Sequence, residues 1–314
     1  MKGRVLVTGA SGFIGQDLVQ RLARSGWQVR AASRHPIAAA SVALERVVLP
    51  DLEGDVDWRP LISNVSHVVH LAGIAHASRE IPDATYHAVN ARAVGSLAKA
   101  AADAGVAGVA MMSSIRAQCG PSAVGVVDEM QAAAPVDAYG LSKLEGERLL
   151  AETLATGETR WSVLRPVLVY GPGVKGNMAK LLRLAQTPWP LPLGGLTARR
   201  SLLGLHNLAS AVEHALLSPA TANVTCLLAD PGAMTVPEIV AAMRRGLGRS
   251  PRVFGVPMTP LRLAACALGR QSAWERIAGD LVVSTARLEA SGWLPAESAE
   301  QGLARWMRET SPAT

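Results

Sequence analysis

Thr8-Gly9-Ala10-Ser11-Gly12-Phe13-Ile14-Gly15 follows the apolar run Val5-Leu6-Val7 and opens a stretch of helical spacing from Phe13 to Ser25. Few folds place three glycines this way between a strand and a helix. Gly9 lets the chain turn sharply. Gly12 lets backbone N–H groups approach a pyrophosphate, and Gly15 lets the helix pack close to the sheet. Ser11, Phe13 and Ile14 complete the loop and helix start expected to bind a dinucleotide. Glycine spacing alone is weak evidence. Its position between the first strand and the first helix gives it weight.

The chain continues with the same alternation. Strands are expected at Gln28 to Ala32, Arg46 to Leu49, His67 to Leu71, Val106 to Met112 and Trp161 to Arg165. Long helices are expected from Ile81 to Ala104 and from Asp137 to Ala155. Strands separated by helices at this spacing imply βαβ crossovers and a doubly wound parallel sheet of the α/β class. Apolar residues make up 49% of the 314 residues but aromatics only 4%, so Ala, Val, Leu and Ile must build the core. After Pro166, Pro, Gly and Leu become dense, and shorter helices are expected near 176–186, 206–217, 235–247, 259–268 and 298–308. The expected division is a dinucleotide-binding domain with the catalytic residues at 1–165. A smaller, mainly substrate-binding C-terminal lobe occupies 166–314, with some elements returning to the main sheet.

The second strand ends in Ala31-Ala32-Ser33-Arg34-His35. NAD-preferring sites usually carry a carboxylate there for the ribose 2′-OH. Arg34 instead suits a 2′-phosphate. The expected cofactor is NADP, with NAD as the other choice. Asp51 and Leu52, after the third strand, are placed to touch the adenine edge; Asp51 serves equally as a turn residue.

Tyr139-Gly-Leu-Ser-Lys143 puts a phenol and an ammonium one turn apart on one helical face. A nearby ammonium favours the phenolate and brings the phenol towards neutrality, and it can also bond the nicotinamide ribose. A hydroxyl donor is needed to hold the substrate oxygen. Ser113 and Ser114 close the fifth strand at its carboxyl end, Ser114 standing 25 residues before Tyr139.

With these motifs in place, the chain resembles the extended short-chain dehydrogenase/reductase family, which has a Rossmann-like fold. The likeness rests on TGASGFIG at 8–15, DL at 51–52, HLAG at 70–73, SS at 113–114, YGLSK at 139–143, RPVLVYGPG at 165–173 and GWLP at 292–295. It implies a catalytic set of Ser114, Tyr139 and Lys143, with Leu71, Ala72, Gly73, Asn90 and Pro166 beside the cofactor. It also implies a nucleotide-sugar substrate. Ser113, Asn177 and Arg200 are expected on that substrate, the last two at the diphosphate; taken alone, Asn177 reads as a helix cap and Arg200 as a surface charge. The C-terminal half is similar to bacterial UDP-sugar 4-epimerases and 4-ketoreductases. Hydride transfer at C4 serves both, and the missing carboxylate after the second strand favours the ketoreductase. A cofactor-binding sensor without chemistry is a third reading, countered by the presence of both Tyr139 and Lys143.

Departures from the family pattern narrow the chemistry. Ile115-Arg116 stands where 4,6-dehydratases carry an acidic pair, which argues against water elimination. The Cys and His pair of C3 and C5 epimerases is out of register, so Cys119 reads as structural. Leu168 stands where many relatives place Asn. His70, His76, His87 and His206 lack metal-ligand spacing, and Cys119, Cys226 and Cys266 form no metal or disulfide framework, so no metal is expected. The net charge of +6 is scattered, with no basic run interleaved with aromatics, which argues against a nucleic-acid partner. No leader and no apolar run of membrane-spanning length is seen, so a cytoplasmic protein without integral membrane contact is expected, and a homodimer is left open.

Overall fold

The computed structural model describes residues 2–35, 44–75, 81–257 and 278–310. β1 (Arg4–Thr8) leads through α1 (Phe13–Arg24) to β2 (Gln28–Ser33), β3 (Glu45–Val48), α2 (Arg59–Ile62) and β4 (His67–His70). A helical segment follows, made of α3 (Asp83–His87), a π-helical turn (Ala88–Arg92) and α4 (Ala93–Asp103). Then come β5 (Gly108–Met112), the short α5 (Ile115–Gln118), β6 (Val126–Val127), α6 (Ala138–Leu154) and β7 (Arg160–Pro166). The C-terminal half contains β8 (Leu168–Tyr170), α7 (Gly176–Gln186), β9 (Arg199–Arg200), β10 (Leu202–Gly204) and α8 (Leu205–Leu217). It continues with β11 (Val224–Leu228), β12 (Met234–Thr235), α9 (Val236–Gly246), β13 (Val282–Val283) and the helices Ala286–Ala290 and Ala299–Thr310. The expected helix at 259–268, and with it Cys266, lies outside the described residues, as does His76.

The main sheet has seven parallel strands in the order β3-β2-β1-β4-β5-β7-β11. This is the expected α/β doubly wound, Rossmann-like arrangement. Alternation along the strands supplies both faces. Val5 and Val7 of β1 pack with Leu18, Leu22, Leu208 and Val212 from α1 and α8. Leu6 turns the other way, to Leu61, Val94, Leu97 and Leu150 from α2, α4 and α6. Parallel strands covered on both faces need such continuous apolar runs. The strand order reverses between β1 and β4, and ligands in these sheets bind at the carboxyl ends beside that crevice.

β11, from the C-terminal half, pairs with β7 in the main sheet. α7, α9 and the helix Ala299–Thr310, with residues of β8, β10 and β12, build a third core around Met178, Leu202, Ile239, Met243, Leu303 and Trp306. A buried polar knot ties this core to α8. Tyr170 Oη donates to Asp230 Oδ2 at 2.7 Å, and Asp230 also accepts from Gly204 N at 2.9 Å and from Asn207 Nδ2 at 2.8 Å. Burial pushes the Asp230 carboxyl up to about 6 against these bonds. No helix among the described residues is long and apolar enough to cross a membrane.

Candidate active site

The glycine turn sits at the switch point. Gly9 has φ +69°, and a Cβ there would lie 2.8 Å from Ala72 N, so β1 and the segment after β4 touch backbone to backbone. A Cβ on Gly15 would lie 2.3 Å from Gly9 O, which is why α1 can start directly against the turn. Gly12 is exposed and caps α1 with extended backbone and no side-chain bond. The first intrahelical bond runs from Gln16 N to Gly12 O at 3.0 Å, so the N–H groups of Phe13, Ile14 and Gly15 stand ahead of it. The first turn carries no acidic residue. Such a helix start fits a pyrophosphate. Ser11, Phe13 and Ile14 are half-buried around it.

Arg34 is exposed just beyond β2. Asp51 is also exposed, and its carboxylate accepts from Glu53 N at 3.1 Å, the bond of a turn residue; Leu52 is buried. Leu71, Ala72 and Gly73 leave β4 over the crevice. Below them His70 is fully buried, its Nδ1 hydrogen-bonded to Thr8 Oγ1 at 2.9 Å and its Nε2 without a partner. Burial, with Lys143 beside it, lowers the His70 pKa from 6.5 to about 3. The folded state therefore keeps His70 neutral while the unfolded chain takes up a proton below about pH 6.5. Stability should fall as pH drops through that value towards 3. The loss of Tm between about pH 7.5 and about pH 5 should shrink in His70→Asn. An unchanged slope would show that His70 does not supply it.

Asn90 lies in the π-helical turn, where one extra residue per turn rotates the side chain inward. Its Oδ1 accepts from Ile74 N at 2.9 Å, and its Nδ2 donates to Ile74 O at 3.0 Å and Ser142 Oγ at 3.1 Å. Asn90 thus fastens the segment after β4 to α6. A Cβ on the exposed Gly73 would lie 2.8 Å from Asn90 Oδ1 and 3.1 Å from Lys143 Nζ, so this glycine keeps the space over the lysine open.

Ser113 and Ser114 are both buried at the end of β5. Ser114 caps α5, accepting from Arg116 N at 3.1 Å, and its side chain is hydrogen-bonded to the Tyr139 hydroxyl. Tyr139 sits in the first turn of α6, its ring 6.2 Å from that of Tyr86 on α3. Lys143 Nζ is buried and donates to Met112 O at 3.2 Å. Burial lowers the Lys143 pKa to about 8, against the pull of Glu147. Burial raises the phenol's pKa, opposed by the Ser114 bond and by Arg116. Ser114 and Tyr139 are bonded to each other, and Lys143, one turn along α6, lies between Met112 O and the space at Gly73.

Three features were not read from the sequence. Glu147 lies one turn beyond Lys143; it accepts from Ser113 Oγ and from Arg165 Nε at 3.0 Å, all inside the protein. Arg165 also donates to Gln118 Oε1, closing a buried network behind β5. Arg116 pairs with Asp137, NH2 to Oδ2 at 2.6 Å. Stripe spacing from Tyr139 through Lys143 to Glu147 was the available signal for the first. Pro166, next to Arg165, is buried at the end of β7.

The expected substrate residues are less gathered. Asn177 is exposed in the first turn of α7 and is not its cap, which is Lys175. Arg200 is half-buried, with its terminal nitrogens donating to Pro121 O at 3.1 Å and Gly279 O at 2.8 Å. It is therefore no simple surface charge. Leu168 is exposed on β8. Among the described residues no group of His, Cys, Asp and Glu could hold a metal.

A switch-point glycine turn beside a buried Ser, Tyr and Lys defines a Rossmann-like dinucleotide-binding chain. The profile of the NAD dependent epimerase/dehydratase family matches residues 5–225, and the chain belongs to this family. It is 32% identical over 309 residues to a UDP-glucose 4-epimerase from Vibrio cholerae, covering 96% of this chain and 94% of that protein. It is 28% identical to a dTDP-L-rhamnose 4-epimerase from Burkholderia thailandensis, covering 96% and 93%. Among solved structures it is similar to MoeE5 in complex with UDP-glucose and NAD, with a TM-score of 0.75, 25% identity and 98% of both chains covered.

Proposed function

We propose that this protein is a 4-epimerase of a UDP-sugar, working with a retained NAD. The observation that carries the reading is the Tyr139 hydroxyl bonded to Ser114, with Lys143 one turn away, at the crevice of a dinucleotide turn. Two 4-epimerases matched over nearly the whole chain support it over the ketoreductase expected from sequence. The residues fit NAD: the N–H groups at the start of α1 would hold its pyrophosphate, Gly73, beside Asn90, would leave room for its nicotinamide end, and Lys143 would bond its ribose. When bound, NAD would supply reversible hydride transfer at C4. Tyr139 removes the proton from the C4 hydroxyl as the hydride leaves, and gives it back after the 4-keto sugar has turned its other face. Ser114 holds that oxygen throughout, and Ser113, bound to Glu147, fixes the end of β5. The lobe from residue 166 onward, with Asn177 and Arg200, holds the nucleotide; Arg200 keeps its two terminal nitrogens on carbonyls, and its buried Nε has no partner.

The second reading is a 4-ketoreductase using NADPH, favoured by Arg34 where NAD sites place a carboxylate. One experiment separates the two. The purified protein is incubated with UDP-glucose, UDP-galactose and their N-acetylamino counterparts without added nucleotide cofactor, and the products are resolved by chromatography. The 4-epimer should appear, and denaturation should release NAD. Stoichiometric NADPH consumption on 4-keto sugars, without epimerisation, would replace the first reading by the second. No turnover in either format would remove both.

A further inference from the structure

Arg116 occupies a position that neither the cofactor site nor the proton transfer uses. Its backbone N–H donates to Ser114 Oγ at 3.1 Å, while its guanidinium pairs with Asp137 at 2.6 Å. One guanidinium nitrogen, NH1, is buried and has no hydrogen-bond partner. Asp137 in turn caps α6 by accepting from Gly140 N at 2.8 Å, two residues from Tyr139. A Cβ on Gly140 would lie 2.3 Å from Arg116 O, so α5 and the start of α6 meet backbone to backbone. One residue thus grips both elements that present the reacting hydroxyls.

We infer that Arg116 and Asp137 form a charge couple that positions Tyr139 against Ser114 and sets the pH at which the phenol gives up its proton. Both are positioning residues, and the role rests on Tyr139 being the acid–base group. Among the described residues, the charges that act on the phenol are those of Asp137, the cap of α6, and Arg116, after β5; Lys143 lies one turn along α6. From α3 comes Tyr86, while Asp83 and His87 of that helix are exposed. Glu147, further along α6, is paired with Arg165 of β7, and His70 lies by Lys143. Asp137 opposes ionisation of the phenol and Arg116 favours it, so each offsets the other. At this position a family of eliminating enzymes would need an acid. Here a cation takes the place, and its charge serves the neighbouring phenol.

The test reads the phenol directly. The chain has three tyrosines, so subtracting the ultraviolet alkaline titration of Tyr139→Phe from that of the parent isolates Tyr139. In Arg116→Gln the Tyr139 transition should move up by roughly 0.5–1 pH unit, the lower end of what one close charge does. In Asp137→Asn, which keeps a helix-capping side chain, it should move down by a similar amount. The double variant should return near the parent, and Arg116→Lys should restore the parental value. The rising limb of turnover against pH should follow the same signs. A purely structural role would lower turnover in both variants without opposite shifts. Shifts of the same sign, or none, in folded variants overturn the proposal. If Arg116→Gln does not fold, Asp137→Asn and Arg116→Lys decide it. Opposite titration shifts with no turnover on any UDP-sugar would leave the couple standing and remove the epimerase reading instead.

Discussion

Tyr139→Phe should lower turnover on the UDP-sugar by at least about 100-fold and leave NAD affinity nearly unchanged, because general acid–base catalysis is typically worth about 10²–10⁴-fold. In the proposed reaction the phenol exchanges a proton at the C4 oxygen, and Phe removes that proton while keeping the ring. The packing against Tyr86 and the start of α6 survive the change, so the fold should be unaffected. Lys143→Ala should behave differently. It should reduce turnover and NAD affinity together, since the ammonium stands under the open space at Gly73 as well as beside the phenol's helix face. Ser114→Ala should lower turnover without moving the pH profile far, since serine does not titrate, although it also loses the cap of α5. The measurements are turnover against pH and NAD binding by fluorescence for the three variants. Near-parental turnover in Tyr139→Phe on the substrate the parent accepts would remove Tyr139 from the chemistry.

The parts of the molecule legible in sequence are those set by local rules. Glycines at 9, 12 and 15 mark the turn, and the structure places Gly9 and Gly15 where Cβ atoms would strike Ala72, Gly9 and Ala10, while a Cβ on Gly12 would sit tightly, 3.1 Å from Gly9 O. Strands β1, β4 and β5 carry apolar runs buried on both faces, and periodicity finds them; β2 is as buried but includes Arg30 and Ser33. The helix expected over 81–104 was readable as helix. Its π-helical turn was not, because one added residue leaves the apolar pattern intact and shows only in where Asn90 points. The strands β6, β8, β9, β10, β12 and β13 were missed for another reason. Each is two or three residues long and is fixed by a distant partner, such as Leu202 to Leu168 in the β10–β8 pair. Position in a motif gave Ser113 and Arg200 as substrate residues. The structure adds that Ser113 is bonded to Glu147 and Arg200 to two carbonyls, partners 34 and 79 residues away that spacing does not reveal. Helical spacing places Tyr139 and Lys143 on one face, but it does not measure burial, which raises the phenol's pKa.

The Glu147–Arg165 pair should prove the costliest polar contact to break. Both side chains are nearly inaccessible, at 6% and 8% exposure, and no water can replace a lost partner. Glu147→Ala would leave the Arg165 guanidinium charged and unpaired inside the protein and would free Ser113 Oγ as well. Breaking such a pair from one side typically costs about 3–5 kcal/mol, whereas replacing both partners by apolar groups of similar volume is often neutral. Glu147→Ala should therefore lose about 3–5 kcal/mol in denaturant unfolding, and Glu147→Leu combined with Arg165→Met should be markedly more stable than the single variant. Gln118, which also bonds Arg165, limits how fully the double variant recovers. A loss in Glu147→Ala within about 1 kcal/mol, the value of an exposed pair, would show that water reaches the network. Activity should separate from stability in the double variant. Lys143, one turn away, is held near a pKa of about 8 by burial against the charge of Glu147. Without that carboxylate burial acts unopposed, and Lys143 should lose its proton at lower pH. The double variant should thus fold and still bind NAD more weakly as pH rises through neutrality, with the midpoint of that loss below the parent's. A parental midpoint in a folded double variant would show that Glu147 holds the structure alone and leaves the charge of Lys143 untouched.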